Sequence, residues 1–444
     1  MTGDREILVI GGGIGGLAAA LTIRRTGRAV RVLERSAQFG EIGAGIQLAP
    51  NATRILDRLG LLGQVIDVGV LPRRLVLADA VAGVELTALD LTDFPQRYGA
   101  PYIVLHRSDL LDILLGGCAD AGVALEAGTH VTGLAERGAS VRASCPDGRS
   151  FDGIAAICAD GLHSRSRAMF SDDEPICSGY VAYRGAVPME QVARHADLRD
   201  VVAWIGPGLH LVQYPLRSGR MYNQVAVFRS DAYLRGEDDW GHLAELEQRF
   251  AACCDHVRES IPLLGRDNRW PMYDRLPIPT WVRGRIALLG DAAHPMLQYL
   301  AQGGCQAIED AAVLAAALEQ HDRGRRPARA SRPRCAPTRT PGCRAPRGYS
   351  ARRVPGGRSG TSAEPGSWCA TSCSAAAETM TTTTCGGSTS ANPPWRRPSR
   401  PCPHKRRDLL VGAGTMVPGA AGLRLGPRGP LSLPGRRHAG QRGA

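Results

Sequence analysis

The chain has 444 residues, 43% of them hydrophobic, and a formal net charge of +12, which is length enough for two or three domains and a large core. The charge is confined to one end: residues 322–444 carry 23 Lys and Arg against 4 Asp and Glu, leaving 31 basic and 38 acidic side chains in residues 1–321. The body is mildly acidic, so the nucleic-acid role that the overall charge invites rests on the tail alone, and seven scattered body cysteines without a CxxC pair fit free thiols in a reducing cytosol.

The first stretch organises the rest. Ile7–Ile10 reads as a buried strand, breaks into Gly11-Gly12-Gly13-Ile14-Gly15-Gly16 and runs on as an Ala- and Leu-rich helix; residues 29–33 follow as a second buried strand, closed by Glu34. Gly11-x-Gly13-x-x-Gly16 has the dinucleotide-fold spacing. Gly11 permits the tight turn, Gly13 lets the backbone approach a pyrophosphate, and Gly16 lets helix and strand pack closely. The helix N-terminus offers N–H groups and a positive dipole end to phosphates, and Glu34 is placed to accept the two hydroxyls of an adenosine ribose. Residues 7–23 carry no charge, yet five glycines in six residues, with Asp4 and Glu6 just ahead, argue against a signal peptide or membrane helix. No later segment is long and apolar enough to span a membrane.

Residues 41–48 form a Gly-rich loop turning into a strand, and 51–59 an amphipathic helix. Residues 70–79 and 84–89 alternate like an antiparallel pair. A strand at 102–105 precedes a helix over 109–121, with Ser108 as its N-cap. Short strands follow at 123–125, 131–134 and 141–145, and the apolar run 154–159 ends in Asp160-Gly161. Alternating strands dominate 181–228, and 243–257 reads as one helix. Within it, Cys253, Cys254 and His256 are too close in sequence for a metal site and lack a second half. Residues 285–289 return to a buried strand ending in Gly290-Asp291, and 306–318 form a long Ala-rich helix. The fold class is α/β, a nucleotide-binding fold interrupted by a mostly β insertion.

Three anchors stand in order: the glycine triplet with Glu34, Asp160-Gly161 followed by Arg165, and Gly290-Asp291-Ala292-Ala293-His294-Pro295. With them the chain resembles the FAD-dependent aromatic hydroxylases, single-component flavoprotein monooxygenases, over nearly all of residues 5–321. The resemblance implies one tightly held FAD, NADH or NADPH as reductant, and transfer of one oxygen atom from O2 to a small aromatic acid. It implies a Rossmann-like FAD-binding domain (residues 1–70, 100–175 and 276–321) and a substrate-binding β-sheet domain (71–99 and 176–275). It further implies a cytoplasmic homodimer with neither nucleic acid nor membrane as partner. Arg107 resembles the family arginine that contacts the cofactor, and Asp160-Gly161 with Arg165 the motif that serves FAD and nicotinamide together. Asp291, at the C-terminal end of a strand where open α/β sheets place ligands, suits a ribityl hydroxyl. Gly303-Gly304 lets backbone N–H groups reach the flavin's pyrimidine edge, where negative charge accumulates on reduction.

Trp204-Ile205-Gly206-Pro207, His210-Leu211-Val212-Gln213-Tyr214-Pro215, Asn223-Gln224-Val225-Ala226-Val227-Phe228 and Pro295-Met296-Leu297-Gln298-Tyr299-Leu300-Ala301 resemble the 3-hydroxybenzoate 6-hydroxylase branch. His210 and Tyr214, four apart on a strand, share a face. A free phenol titrates near pH 10, about the tyrosine value, so a base within hydrogen-bond reach is needed to make the electron-rich phenolate. His210 is the candidate base, with Tyr214 and Gln298 orienting the substrate. The reaction expected is 3-hydroxybenzoate to 2,5-dihydroxybenzoate. The alternatives are a decarboxylating hydroxylase of the salicylate or hydroxynicotinate type and an inactive flavin-binding remnant.

From about residue 322 the composition breaks. Arg, Pro, Ala, Gly, Ser and Thr take over, 16 of the 30 prolines lie here, and Lys405 is the chain's single lysine. One reading is a disordered basic tail. The reading preferred here is an out-of-frame translation of a GC-rich gene: restarting at the third base of each codon turns Trp368-Cys369 into Val and Met380-Thr381 into Asp. The body would then lack the closing helices that the family uses to cover the cofactor domain.

Overall fold

The computed structural model describes residues 6–40, 44–192, 199–265 and 268–325; the expectations for 326–444 lie outside them. Ile7–Ile10 is buried along its whole length and pairs in parallel with Val30–Leu33 on one side and Ala155–Cys158 on the other. Such short, unbroken apolar runs are what a parallel strand covered on both faces requires. The sheet has six strands in the order Val282–Arg283, Ile286–Leu288, Ala155–Cys158, Ile7–Ile10, Val30–Leu33 and Ala124–Glu126, and only the first of these is antiparallel to its neighbour.

Alternation sorts the central strand between two cores. Ile7 and Val9 face the glycine helix (Ile14–Arg25), the helix Arg107–Asp120 and the closing helix (Gly303–Arg325), through Leu17, Leu21, Leu114 and Ile308. Leu8 and Ile10 face the other way, toward Val141 and Ala143 of a three-stranded sheet over 133–153.

A second sheet of seven strands runs in the order Trp270–Asp274, Ile176–Pro188, Met221–Arg229, Leu209–Leu216, Val201–Gly206, Arg74–Asp79 and Glu85–Asp90. Val181, Tyr183, Leu209, Leu211 and Phe228 project from one face into a core closed by the helices Leu243–Phe250 and Asp255–Ser260. The opposite face meets the short pair Gly45–Leu48 and Ile103–His106, where Val104 packs with Tyr214 and Leu216.

Three local expectations are corrected. The single helix over 243–257 is two, because the Cys254 N–H leaves the helical ladder to donate to the Ala80 carbonyl (2.8 Å), a tertiary contact overriding local propensity. The helix expected at 109 begins at Arg107, with His106 rather than Ser108 as its N-cap. The closing helix begins at Gly303, so Gly303 and Gly304 form its first turn instead of preceding it. Among the described residues no helix is long and apolar enough to cross a membrane.

Candidate active site

Three glycines at the first turn do different work. Gly11 has φ +104, and a Cβ there would lie 2.4 Å from the Ala159 carbonyl oxygen; a Cβ on Gly16 would lie 2.0 Å from the Gly11 oxygen. Both are required by packing. Gly13 is not: its φ of −75 suits any residue and a Cβ would meet nothing within 4 Å. What its missing side chain leaves is room directly over the start of the glycine helix, which has neither a side-chain cap nor an acidic residue in its first turn. A diphosphate fits that cradle. Glu34 stands beside it, accepting hydrogen bonds from the Gly12 N–H (2.6 Å) and the Ser36 N–H (2.8 Å). The residues present therefore fit the adenosine diphosphate half of FAD.

Asp160 follows the neighbouring strand. Its carboxylate accepts from the Ser164 hydroxyl (2.6 Å) and the Ser166 N–H (3.2 Å), so both oxygens shape its own turn. Next to that turn lies a cavity of about 310 Å³ lined by His163, Ser164, Arg165, Asp172 and Arg275 among others. Asp173 backs it, bound to Arg167 (2.9 Å) and Arg275 (3.0 Å). Burial disfavours the Asp173 charge, yet hydrogen bonds from Arg167, Ser171 and Arg275 hold it down to about 2.

Asp291 lies in the tight turn Gly290–Ala292, exposed at the end of the strand Ile286–Leu288. A Cβ on Gly303 would be 3.9 Å from its Oδ1, so Asp291 and the first turn of the closing helix share one place, as a bound ribityl chain and flavin ring would need. Gly304 has another reason to be glycine: a Cβ there would come 2.9 Å from the Ile46 side chain. Arg107 opens its helix with its N–H on the Ala44 carbonyl (3.1 Å), and its charge is felt at Tyr214.

The strand registers define a second cluster. Arg184, Val225 and Val212 lie abreast on three adjacent strands; Ala182, Val227 and His210 form the row on one side, and Ala186, Asn223 and Tyr214 the row on the other. Rows on one face are about 7 Å apart. The two valines make an apolar floor, with Arg184 at its edge, His210 one row away and Asn223 and Tyr214 one row the other way. Thus His210 and Tyr214 do share a face. Gln298 joins them through Arg184, whose Nη2 donates to its Oε1 (2.8 Å). Arg184 also lies over the Trp270 ring, 5.6 Å from its centroid.

Burial pushes the His210 imidazole down to about 4, so it is neutral at pH 7, with a ring nitrogen able to accept a hydrogen bond. Tyr214 is the opposite case: burial raises its phenol, against the pull of Arg184, Arg107 and a hydrogen bond with Gln47, and it stays a donor. Asn223 is fully buried; its Oδ1 accepts from the Gly45 N–H (2.8 Å), while its Nδ2 finds no acceptor among the described residues. Arg184 and Asn223 are absent from the candidates that the sequence yields. The signal for Arg184 was the alternation Val181, Tyr183: with those two buried in one core, Arg184 belongs to the other face.

Residues 4–330 match the family described as FAD binding domain. The chain is 40% identical over 321 residues to a 3-hydroxybenzoate 6-hydroxylase of Polaromonas naphthalenivorans, covering 71% of this chain and 79% of that protein. It is 36% identical over 317 residues to a 3-amino-4-hydroxybenzoate 2-monooxygenase of Streptomyces cremeus, covering 71% and 79%. Among solved structures, Klebsiella pneumoniae HpxO complexed with FAD and uric acid superposes with a TM-score of 0.63 at 30% identity, covering 72% of this chain and 81% of that one.

Proposed function

Because the chain belongs to the FAD-dependent aromatic hydroxylases, we propose that its substrate is 3-hydroxybenzoate, converted to 2,5-dihydroxybenzoate with NADH as reductant. One observation carries the substrate reading: a guanidinium and a neutral imidazole flank an apolar floor, on one sheet face. A ring lying on Val212 and Val225 would present its carboxylate to Arg184, a charge-assisted contact, and its hydroxyl to His210. FAD, held by the glycine turn, Glu34 and Asp291, would supply the redox chemistry that links nicotinamide and O2 to the ring. His210 accepts the phenol's hydrogen bond on an imidazole nitrogen and draws its proton as the ring reacts, raising electron density at the carbon para to the hydroxyl. Tyr214 and Gln298 hold the ring's polar groups in register, and the valine floor keeps water from the reacting carbon. The cavity beside the Asp160 turn is the berth for the coenzyme, with Arg165 as its cation. The proposal extends to a cytoplasmic homodimer.

The test is NADH oxidation by FAD-reconstituted protein with and without 3-hydroxybenzoate, following the aromatic product. Formation of 2,5-dihydroxybenzoate is expected. Release of carbon dioxide would favour a decarboxylating hydroxylase instead, and oxidation yielding only hydrogen peroxide would mean a different substrate.

A second reading, that this chain is an impaired remnant, is favoured by where the similarity lies. The match of 321 residues covers 79% of the Polaromonas protein, and the unlike composition of this chain begins at about residue 322. Resequencing the gene decides it: a clean read of the same frame through codons 322–444 would remove the frameshift.

A further inference from the structure

We propose that Asp310 and Arg167 are the positioning residues of the FAD site, gripping the turn that carries Asp291 from opposite sides. Both bind the turn's backbone and its flanks rather than Asp291 itself, and neither lies in a motif that the sequence singles out. Asp310 projects from the closing helix and is 2% exposed. One of its oxygens, Oδ2, accepts from the Gly290 N–H (3.0 Å), the first residue of the turn, and from His294 Nε2 (2.6 Å), two residues beyond its end. Arg167, fully buried, donates Nη1 to the carbonyls of Ala292 (3.1 Å) and Ala293 (2.7 Å) and Nη2 to that of Leu276 (2.6 Å). A carboxylate thus holds the turn's N–H side and a guanidinium its C=O side, and Asp291 is the residue left between them facing out.

Burying two opposite charges is expensive unless each is well hydrogen-bonded: Arg167 donates from Nε, Nη1 and Nη2, and Asp310 accepts twice on Oδ2. Arg167 has Asp173 as its counter-ion, which also binds Arg275. Asp310 has His294. Burial by itself would push the His294 imidazole down, but the Asp310 carboxylate overrides it and Asp291 adds to the effect, so His294 titrates above the ordinary histidine value. The groups facing His294 are Asp310 from the closing helix, Asp291 from its own turn, the Trp281 ring at 4.9 Å from the segment before the last strand, and Arg167 through the adjoining carbonyls. A raised histidine pKa means that the ion pair is complete at low pH and lost as pH rises through the folded-state value, leaving a buried carboxylate with a weaker partner. The grip on Asp291 loosens in that direction.

The experiment measures FAD dissociation from the full-length holoprotein by flavin fluorescence, from about pH 6 to about pH 9, a span that brackets a histidine shifted up from about 6.5. Wild type is expected to lose FAD affinity several-fold as pH rises. Asp310→Asn, an isosteric change, is expected to weaken FAD at least ten-fold at pH 7 and to flatten the pH dependence, and His294→Gln to flatten it as well. Thermal melts of the apo-proteins report folding separately. Unchanged FAD affinity in Asp310→Asn, or a pH dependence that survives His294→Gln, would overturn the proposal. So would a wild-type chain that takes up no FAD, which would remove the assignment of the site with it.

Discussion

His210 and Tyr299 meet edge to face, ring centroids 5.6 Å apart at 60°, although one comes from the middle of the seven-stranded sheet and the other from the turn after Asp291. Tyr299 in turn contacts Tyr180, 6.3 Å away on the next-but-one strand. The ring of Tyr299 therefore packs directly on the imidazole, so the proposed base touches the segment that follows Asp291.

His210→Asn should lower kcat by about 10²–10⁴-fold, the usual contribution of a positioned base, with FAD still bound. His210 titrates at about 4, so its base form is fully present at neutral pH and disappears only as pH falls through that value. The kcat/KM profile of the wild type should show an acidic limb there, and the variant should lack it.

Arg184→Gln should act on binding more than on turnover. A hydrogen bond to a charged group contributes about 1.5–3 kcal/mol, so KM for 3-hydroxybenzoate should rise by roughly 10–150-fold. The neutral analogue 3-hydroxybenzyl alcohol should respond little to the same change. Equal losses for both compounds would remove Arg184 as the carboxylate's partner.

Two substitutions in the first turn should separate packing from ligand room. Gly16→Ala places a methyl 2.0 Å from the Gly11 oxygen and should unfold the turn, lowering Tm with or without FAD. Gly13→Ala meets no protein atom within 4 Å. It should leave the apo-protein's Tm in place and cost FAD affinity alone, read by fluorescence titration.

Ala301 sits in the left-handed region (φ 51, ψ 30), where a Cβ is strained. Ala301→Gly should stabilise the protein by about 1 kcal/mol, offset in part by the glycine's larger unfolded-state entropy. Chemical denaturation of the two proteins is the check.

What the sequence made legible was whatever is coded locally. The Ile7–Ile10 run, the glycine spacing and Glu34 are consecutive features of one βαβ unit, and each sits where its pattern requires. Asp291 was legible because it ends an apolar strand. Arg184, Arg167 and Asp310 were not, because their meaning lies in partners 114, 125 and 20 residues away, and a lone charged residue beside apolar ones reads equally well as a surface position. The break in the helix over 243–257 was hidden for the same reason: its cause is the Ala80 carbonyl, a contact that no window around Cys254 contains.

The bond from Arg184 to Gln298 ties the sheet to the loop after Asp291 with a single guanidinium. A carboxylate that takes Arg184 must share it with Gln298 or displace it, and Gln298 is the immediate neighbour of Tyr299. Arrival of the acid at Arg184 would then reach the ring packed on His210 before any oxygen is moved, and the proposed base would respond to the occupancy of the sheet.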